Sequence, residues 1–283
     1  MRYIFMRYPQ GKAKAVTFSY DDGVPEDQTL AAIFDKYGVK CTFNFSVPIW
    51  DGSYSAAQIQ EYFLSKGHEI AIHGAHHRAN GSLRPIEGIR EVLDCRLALE
   101  EKCGQIIRGM AYPDTGISLI CNGTSYEKIK NYLQELDIAY ARALGADNTS
   151  FMLPEDFHAW MPTAHHKSPK IMEYVEQFLN IDTSIKDYRA RRVPRLLYIW
   201  GHSYEFRVDN NWDLMESICQ KLAGNDEIWF ATNMEIYNYV QAYQRLQYSA
   251  DGHMVYNPTL LTVWMDVDGK LVEIPSGATV HIT

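Results

Sequence analysis

Two hydrophobic rhythms alternate along the chain. Short apolar runs of strand character fall near Ala13–Ser19, Val39–Val47, His68–His73, Ile106–Tyr112, Ile138–Ala143, Leu196–Gly201 and Glu227–Ala231. Between them, apolar residues recur at three- and four-residue spacing. That spacing marks amphipathic helices near Asp27–Tyr37, Ala56–Lys66, Ile86–Lys102, Tyr126–Leu136, Pro169–Leu179 and Leu214–Leu222, with a seventh near Met234–Leu246. Gly38, Gly67, Gly104 and Gly224 stand just past helix ends, and Ser55 and Ser125 stand at N-cap positions. Seven βα units in succession predict parallel strands joined by right-handed crossovers, as a barrel or a doubly wound sheet. No Gly-x-Gly-x-x-Gly follows the first strand, which weighs against a dinucleotide-binding sheet. From about Tyr248 the rhythm changes to hairpins. Asp251-Gly252 and Asp268-Gly269 are turn signals, and Leu260–Asp266 and Lys270–Ile274 read as strands around the second. We therefore expect an α/β unit over residues 1–247. Residues 248–283 form a β-appendage too short to fold alone, packed on the barrel or on a neighbouring subunit, which leaves a homo-oligomer open.

The polar residues that interrupt this pattern are concentrated at one end of it. Asp21 and Asp22 close the first strand run, where paired carboxylates repel unless something offsets their charge, and a metal ion is the usual agent. His73-Gly74-Ala75-His76-His77 closes the third. One carboxylate with two imidazoles suits zinc or a similar divalent ion and leaves a position for water. Arg108, Tyr112 and Asp114 lie within or after the fourth strand, Trp160 beyond the fifth, and His202 and Glu205 after the sixth. The carboxyl ends of the strands are the face where parallel barrels carry their active sites.

Thr17-Phe18-Ser19-Tyr20-Asp21-Asp22-Gly23 resembles the Thr-Phe-Asp-Asp-Gly signature of the polysaccharide deacetylase family of carbohydrate esterases. His73-x-x-x-His77 is similar to that family's second motif, and Leu197-Tyr198-Ile199-Trp200-Gly201-His202 to its late Leu-x-Leu-x-His motif. The resemblance covers roughly residues 13–245. It implies a distorted parallel (β/α)7 barrel and metal-dependent hydrolysis of an N-acetyl or related amide, with one divalent ion, zinc the first choice. By position, Asp21 would be the general base, Asp22, His73 and His77 the metal ligands, and His202 the general acid. His76 competes geometrically with His77, and the family spacing favours His77. The third motif departs from the pattern: Arg108 stands farther back, where it would pair with Asp21 or form a salt bridge elsewhere. Asp114 follows Pro113, so the oxyanion donor would be the N–H of Asp114 or of Tyr112. Asp156-Phe157-His158-Ala159-Trp160 only faintly echoes the segment that walls the acyl pocket, and Glu205 would orient His202 or a substrate hydroxyl. His68 reads as structural, and His165 and His166 as loop residues.

Composition narrows the partners. A formal net charge of −8 with no basic run excludes nucleic acid as the main partner. No stretch approaches a membrane span. Only four uncharged residues separate Arg2 from Arg7, too few for a signal-peptide core, and the five irregularly spaced cysteines suit a reducing cytosol. A cytoplasmic enzyme acting on a small molecule is the expectation. The segment from Asp147 to Pro194, with Phe151, Phe157, Trp160 and Met161 near its start, is expected to close over the site and select about one to three sugar units. The leading function is removal of an N-acetyl group from a small amino sugar or oligosaccharide. The alternatives are hydrolysis of a non-sugar amide, such as a cyclic imide or ureide, and a catalytically silent sugar-binding protein. The full set of five motif residues disfavours the silent protein.

Overall fold

A computed structural model describes residues 2–47, 53–183 and 192–282. In chain order the strands and helices are β1 (Ile4–Arg7), β2 (Lys14–Asp22), α1 (Glu26–Tyr37), β3 (Cys41–Phe45), α2 (Ala56–Tyr62), β4 (Glu69–Ile72), α3 (Pro85–Cys103) and β5 (Gly109–Ala111). There follow α4 (Tyr126–Glu135), β6 (Tyr140–Arg142), β7 (Ala164–His165), α5 (Ile171–Leu179), β8 (Arg195–His202), α6 (Tyr204–Val208), α7 (Trp212–Leu222), β9 (Ile228–Phe230) and α8 (Asn233–Gln244). The chain ends in β10 (Gln247–Tyr248), β11 (Met254–Tyr256), β12 (Val263–Val267), β13 (Lys270–Ile274) and β14 (Thr279–His281).

The main sheet runs β6-β5-β4-β3-β2-β8-β7, all parallel, and curls into a distorted (β/α)7 barrel. Its distortion has a definite place. β8 pairs directly with β2, so β9 is displaced to the other edge of β2, along Lys14–Val16, with β3 taking Phe18–Asp22 beyond it. On the far side, Trp160 bonds to Ala141 of β6 and to Ala143 just beyond it, and Thr163 bonds to Tyr198 of β8, so residues 160–165 link the two strands. The seven expected strands correspond to β2, β3, β4, β5, β6, β8 and β9; the two-residue β7 is additional.

β2 explains the layering. All nine of its residues are buried. Its outward positions Val16, Phe18 and Tyr20 join Phe34, Phe43, Ile70 and Val92 in the layer beneath the helices. Its inward positions are small or polar: Ala15, then Thr17 bonded to Asn233, Ser19 bonded to Asn44, and Asp21. A period of two thus sends apolar side chains to the helices and the polar file to the barrel axis. α1 ends at Gly38 in the left-handed conformation, φ +65°, and α2 begins with a capping box between Ser55 and Gln58.

The C-terminal segment lies on α8. Asp268-Gly269 forms the two-residue turn of the β12–β13 hairpin, with φ +49° and +90°. β1 from the other end of the chain is the third strand of that sheet, and Arg7 reaches Asp266 at 3.0 Å. Ala242 and Leu246 meet Val255, Val263, Met265 and Ile274 in a separate small core. Among the described residues no helix is long and apolar enough to cross a membrane.

Candidate active site

The strand register assembles the site. Asp21 stands opposite Asn44 of β3 on one side and His202 of β8 on the other. His73 follows β4, whose Ile72 pairs with Phe45 and with Met110 of β5. Arg142 ends β6 opposite Ala111. Side chains remote in sequence therefore meet at the carboxyl ends of adjacent strands.

Asp21 is buried and doubly held, by the Arg142 guanidinium on Oδ2 and by Asn44 Nδ2 on Oδ1 at 2.9 Å. Asp22 leaves the strand with φ +88°, which turns its side chain out of the alternation that would have set it against Asp21. Its Oδ1 lies 3.7 Å from His73 Nε2 and 3.4 Å from His77 Nε2. The three ligand atoms lie within 4.8 Å of one another.

This set fits a divalent cation on two counts. Asp22 Oδ1 is buried without a hydrogen bond, an arrangement costly for a carboxylate oxygen unless a cation occupies the space it faces. His73 Nδ1 sits 3.0 Å from the carbonyl of Ala111. That contact assigns the ring proton to Nδ1 and leaves the Nε2 lone pair facing Asp22 and His77. Burial resists the charge on Asp22, but His77 and His73 hold its carboxyl below the usual range. Burial pushes the His73 imidazolium down, whereas the nearby Asp22 carboxylate, 3.4 Å away, raises that of His77. His76 points away: it is exposed and bonded to Glu91.

His202 faces the same cleft from β8. Its backbone N–H and its Nδ1 both approach Glu205 Oε2, at 3.2 and 3.3 Å. Burial opposes charge on His202, and Glu205, Asp21 and Asp22 outweigh it, so its imidazolium is raised above the ordinary value. Glu205 is shared. His165 Nδ1 accepts the Lys167 N–H at 3.0 Å, so its proton is on Nε2, 3.2 Å from Glu205 Oε2. Despite burial, His165 and His202 hold the Glu205 carboxyl well below the usual carboxylate range.

The remaining expected residues divide. Tyr112 and Asp114 line the cleft with Asp21, His73, His77, Thr115, Ser118, Leu144, Trp200 and His202; its volume is about 410 Å³. The Tyr112 N–H is spent on the Arg142 carbonyl, at 3.0 Å. Of the two oxyanion donors considered, that leaves the N–H of Asp114.

Two corrections follow. Arg108 does not reach Asp21: it precedes β5, at the amino end of the barrel, and forms a fork with the carbonyl and carboxylate of Asp137 at 3.0 and 2.7 Å. Trp160 does not wall the cleft. It is buried in the barrel interior with ring centroids 5.0–5.5 Å from Phe157, Tyr198 and Tyr140. Phe151 likewise packs on Phe178. The aromatics expected to form a lid are thus core residues, and residues 184–191 of that segment lie outside the described part. Sequence reasoning missed Arg142, Asn44 and Trp200, whose ring the Arg142 guanidinium covers at 4.3 Å. A charged residue inside the apolar run Ile138–Ala143 was the available signal for Arg142.

Comparison with known proteins places this geometry. The family model described as Polysaccharide deacetylase matches residues 8–140. A Mycobacterium smegmatis structure, named provisionally as a polysaccharide deacetylase, superposes with a TM-score of 0.58 at 16% identity, covering 86% of this chain and 96% of that one. A second, named with the same reserve and from Pseudomonas aeruginosa PAO1, gives a TM-score of 0.58 at 13% identity, covering 82% and 92%. At these identities the likeness is one of fold. Among proteins of curated function, none matches the sequence.

Proposed function

We propose that this chain, whose residues 8–140 match the polysaccharide deacetylase family model, is a metal-dependent hydrolase removing an N-acetyl or related acyl group from a small amino sugar or oligosaccharide. The observation that carries the reading is the convergence of Asp22, His73 and His77 beside a separately held Asp21 in one cleft. Asp22, His73 and His77 would hold the ion. When bound, a divalent cation supplies Lewis-acid polarisation of the scissile carbonyl and makes water acidic enough to attack near neutral pH.

The chain's own groups supply the proton transfers. Asp21, fixed by Arg142 and Asn44 and 3.7 Å from His73 Nε2, takes the proton of the attacking water as general base. The Asp114 N–H is the donor available to the developing oxyanion. His202 is oriented through Nδ1 by Glu205, which leaves its other ring nitrogen to protonate the departing amine. The cleft, near the lower end of the order of 300–1000 Å³ usual for ligand pockets, favours a small acylated unit. A reducing compartment is part of the proposal, on the five free cysteines. The test is metal analysis of the purified chain, then acetate release from N-acetylglucosamine, its trimer, a long polymer and a panel of simple amides. Release from the short sugars is expected. Preference for the polymer would overturn the small-substrate reading, and turnover confined to imides or ureides would replace the sugar.

A further inference from the structure

His77 sits in the irregular stretch 73–79 that follows β4, ahead of a short 3-10 turn at Asn80–Ser82, yet a metal ligand's imidazole must be placed precisely relative to Asp22 and His73. One residue outside the ligand set fixes that loop. Glu91, on the inner face of α3 and only 3% exposed, aims its carboxylate into the 74–78 segment. Its Oε1 accepts the backbone N–H groups of His76 at 2.8 Å and Arg78 at 2.9 Å, the two residues flanking His77. Its Oε2 lies 3.1 Å from His76 Nδ1. The backbone carbonyl of Glu91 accepts the N–H of Ala75 at 2.9 Å. On the other side of the segment, the Gly74 carbonyl accepts the Val47 N–H and the Ser46 hydroxyl, both at 3.2 Å.

Two backbone features depend on this clamp. His77 adopts φ +55°, a left-handed conformation that a non-glycine residue holds only when its surroundings impose it. Gly74, at φ +89°, leaves the space the carboxylate enters; a Cβ there would lie 2.7 Å from Glu91 Oε1. The bonds run to the amides on either side of His77 and none to its ring. Glu91 therefore sets the backbone direction of the residue and leaves Nε2 to face Asp22.

We infer that Glu91 is the positioning residue of the proposed metal site, its carboxylate holding the 74–78 loop in the conformation that turns His77 toward Asp22. The inference rests on the reading of Asp22, His73 and His77 as metal ligands. Truncation at Glu91 leaves two part-buried amides without their acceptor and frees the left-handed turn. Loss of such an outer support weakens metal binding by about 10–100-fold.

The measurement is zinc affinity of the full chain, by competition with a chromophoric chelator, beside a thermal melt of each variant. Glu91→Ala is expected to weaken affinity by about 10–100-fold. Glu91→Gln keeps an oxygen for both amides and presents an amide to His76 Nδ1, so it keeps wild-type affinity. His76→Ala touches only the other oxygen and changes nothing. If Glu91→Ala does not fold, Glu91→Asp, which withdraws the carboxylate by one methylene, gives the same reading. A residue that only stabilises the fold would lower the melting temperature and leave the affinity of the folded protein intact; that result overturns the inference. Absence of zinc binding in the wild type instead overturns the metal reading itself, and the inference with it.

Discussion

Replacing Arg142 by Met tests how the site tolerates its own charge. The Arg142 side chain is fully buried and its partner Asp21 nearly so, at 2% exposure. The pair lies where water cannot screen it. Removing one member of such a pair costs about 3–5 kcal/mol, because the remaining charge stays buried without compensation. Loss of the guanidinium over Trp200, 4.3 Å from the ring, adds about 0.5–2 kcal/mol. At about 2–4 °C per kcal/mol for a chain approaching this size, the metal-free protein should melt roughly 10–20 °C lower. The melt belongs in a chelator, since a bound cation would itself compensate Asp21. The double variant Asp21→Asn with Arg142→Met carries no orphaned charge and should recover most of the lost stability in a double-mutant cycle. A single variant that melts within a few degrees of wild type, with no rescue in the double, would refute the reasoning.

Other perturbations separate the roles of neighbouring groups. Asp21→Asn should keep its metal and lose about 10²–10⁴ in kcat; if it loses the metal while Asp22→Asn keeps it, the two roles are reversed. His73→Ala should lose metal and activity together, and stoichiometric metal in that variant would remove His73 from the ligand set. Zinc affinity should fall as pH drops, with His77 protonating before His73: Asp22 raises the one and burial lowers the other. Glu205→Gln should move the alkaline limb of the kcat profile to lower pH. Glu205 helps raise His202, so without it the imidazolium loses its proton sooner, and an unmoved limb would exclude His202 as the acid.

Much of the barrel was legible because it is written in local pattern. The run Ala15-Val16-Thr17-Phe18 had to be a buried strand, and β2 is buried at every position. The Asp268-Gly269 signal marked the turn between β12 and β13. What escaped was short or paid for by partners far away. β1 is four residues long and is a strand because β12, some 260 positions later, offers it an edge. β7 is two residues paired with β8, with no period to detect. Phe151 and Trp160 looked like lid residues because hydrophobicity alone cannot distinguish a side chain facing a cleft from one facing a core. The 160–165 link between β6 and β8 decided the question.

The exchange of Arg108 for Arg142 shows the same limit at the site. Both arginines stand at the ends of short strands, and only the resemblance to the third motif, from whose spacing it departs, pointed to Arg108. A parallel barrel assigns a residue to the catalytic end by its height along the strand. Arg108 precedes Gly109, the first residue of β5, whereas Arg142 is the last residue of β6 and stands opposite Ala111, the last of β5. A rise of about 3.3 Å per residue puts Arg108 roughly 10 Å below that level, beyond reach of Asp21. The segment leading into β6 then meets Arg108 with Asp137, three residues before that strand begins, at the same low end of the barrel. A site whose charges must balance at one height draws each partner from whichever strand ends there. The carboxylate could be read from its own motif, and its arginine only from the register of its neighbours.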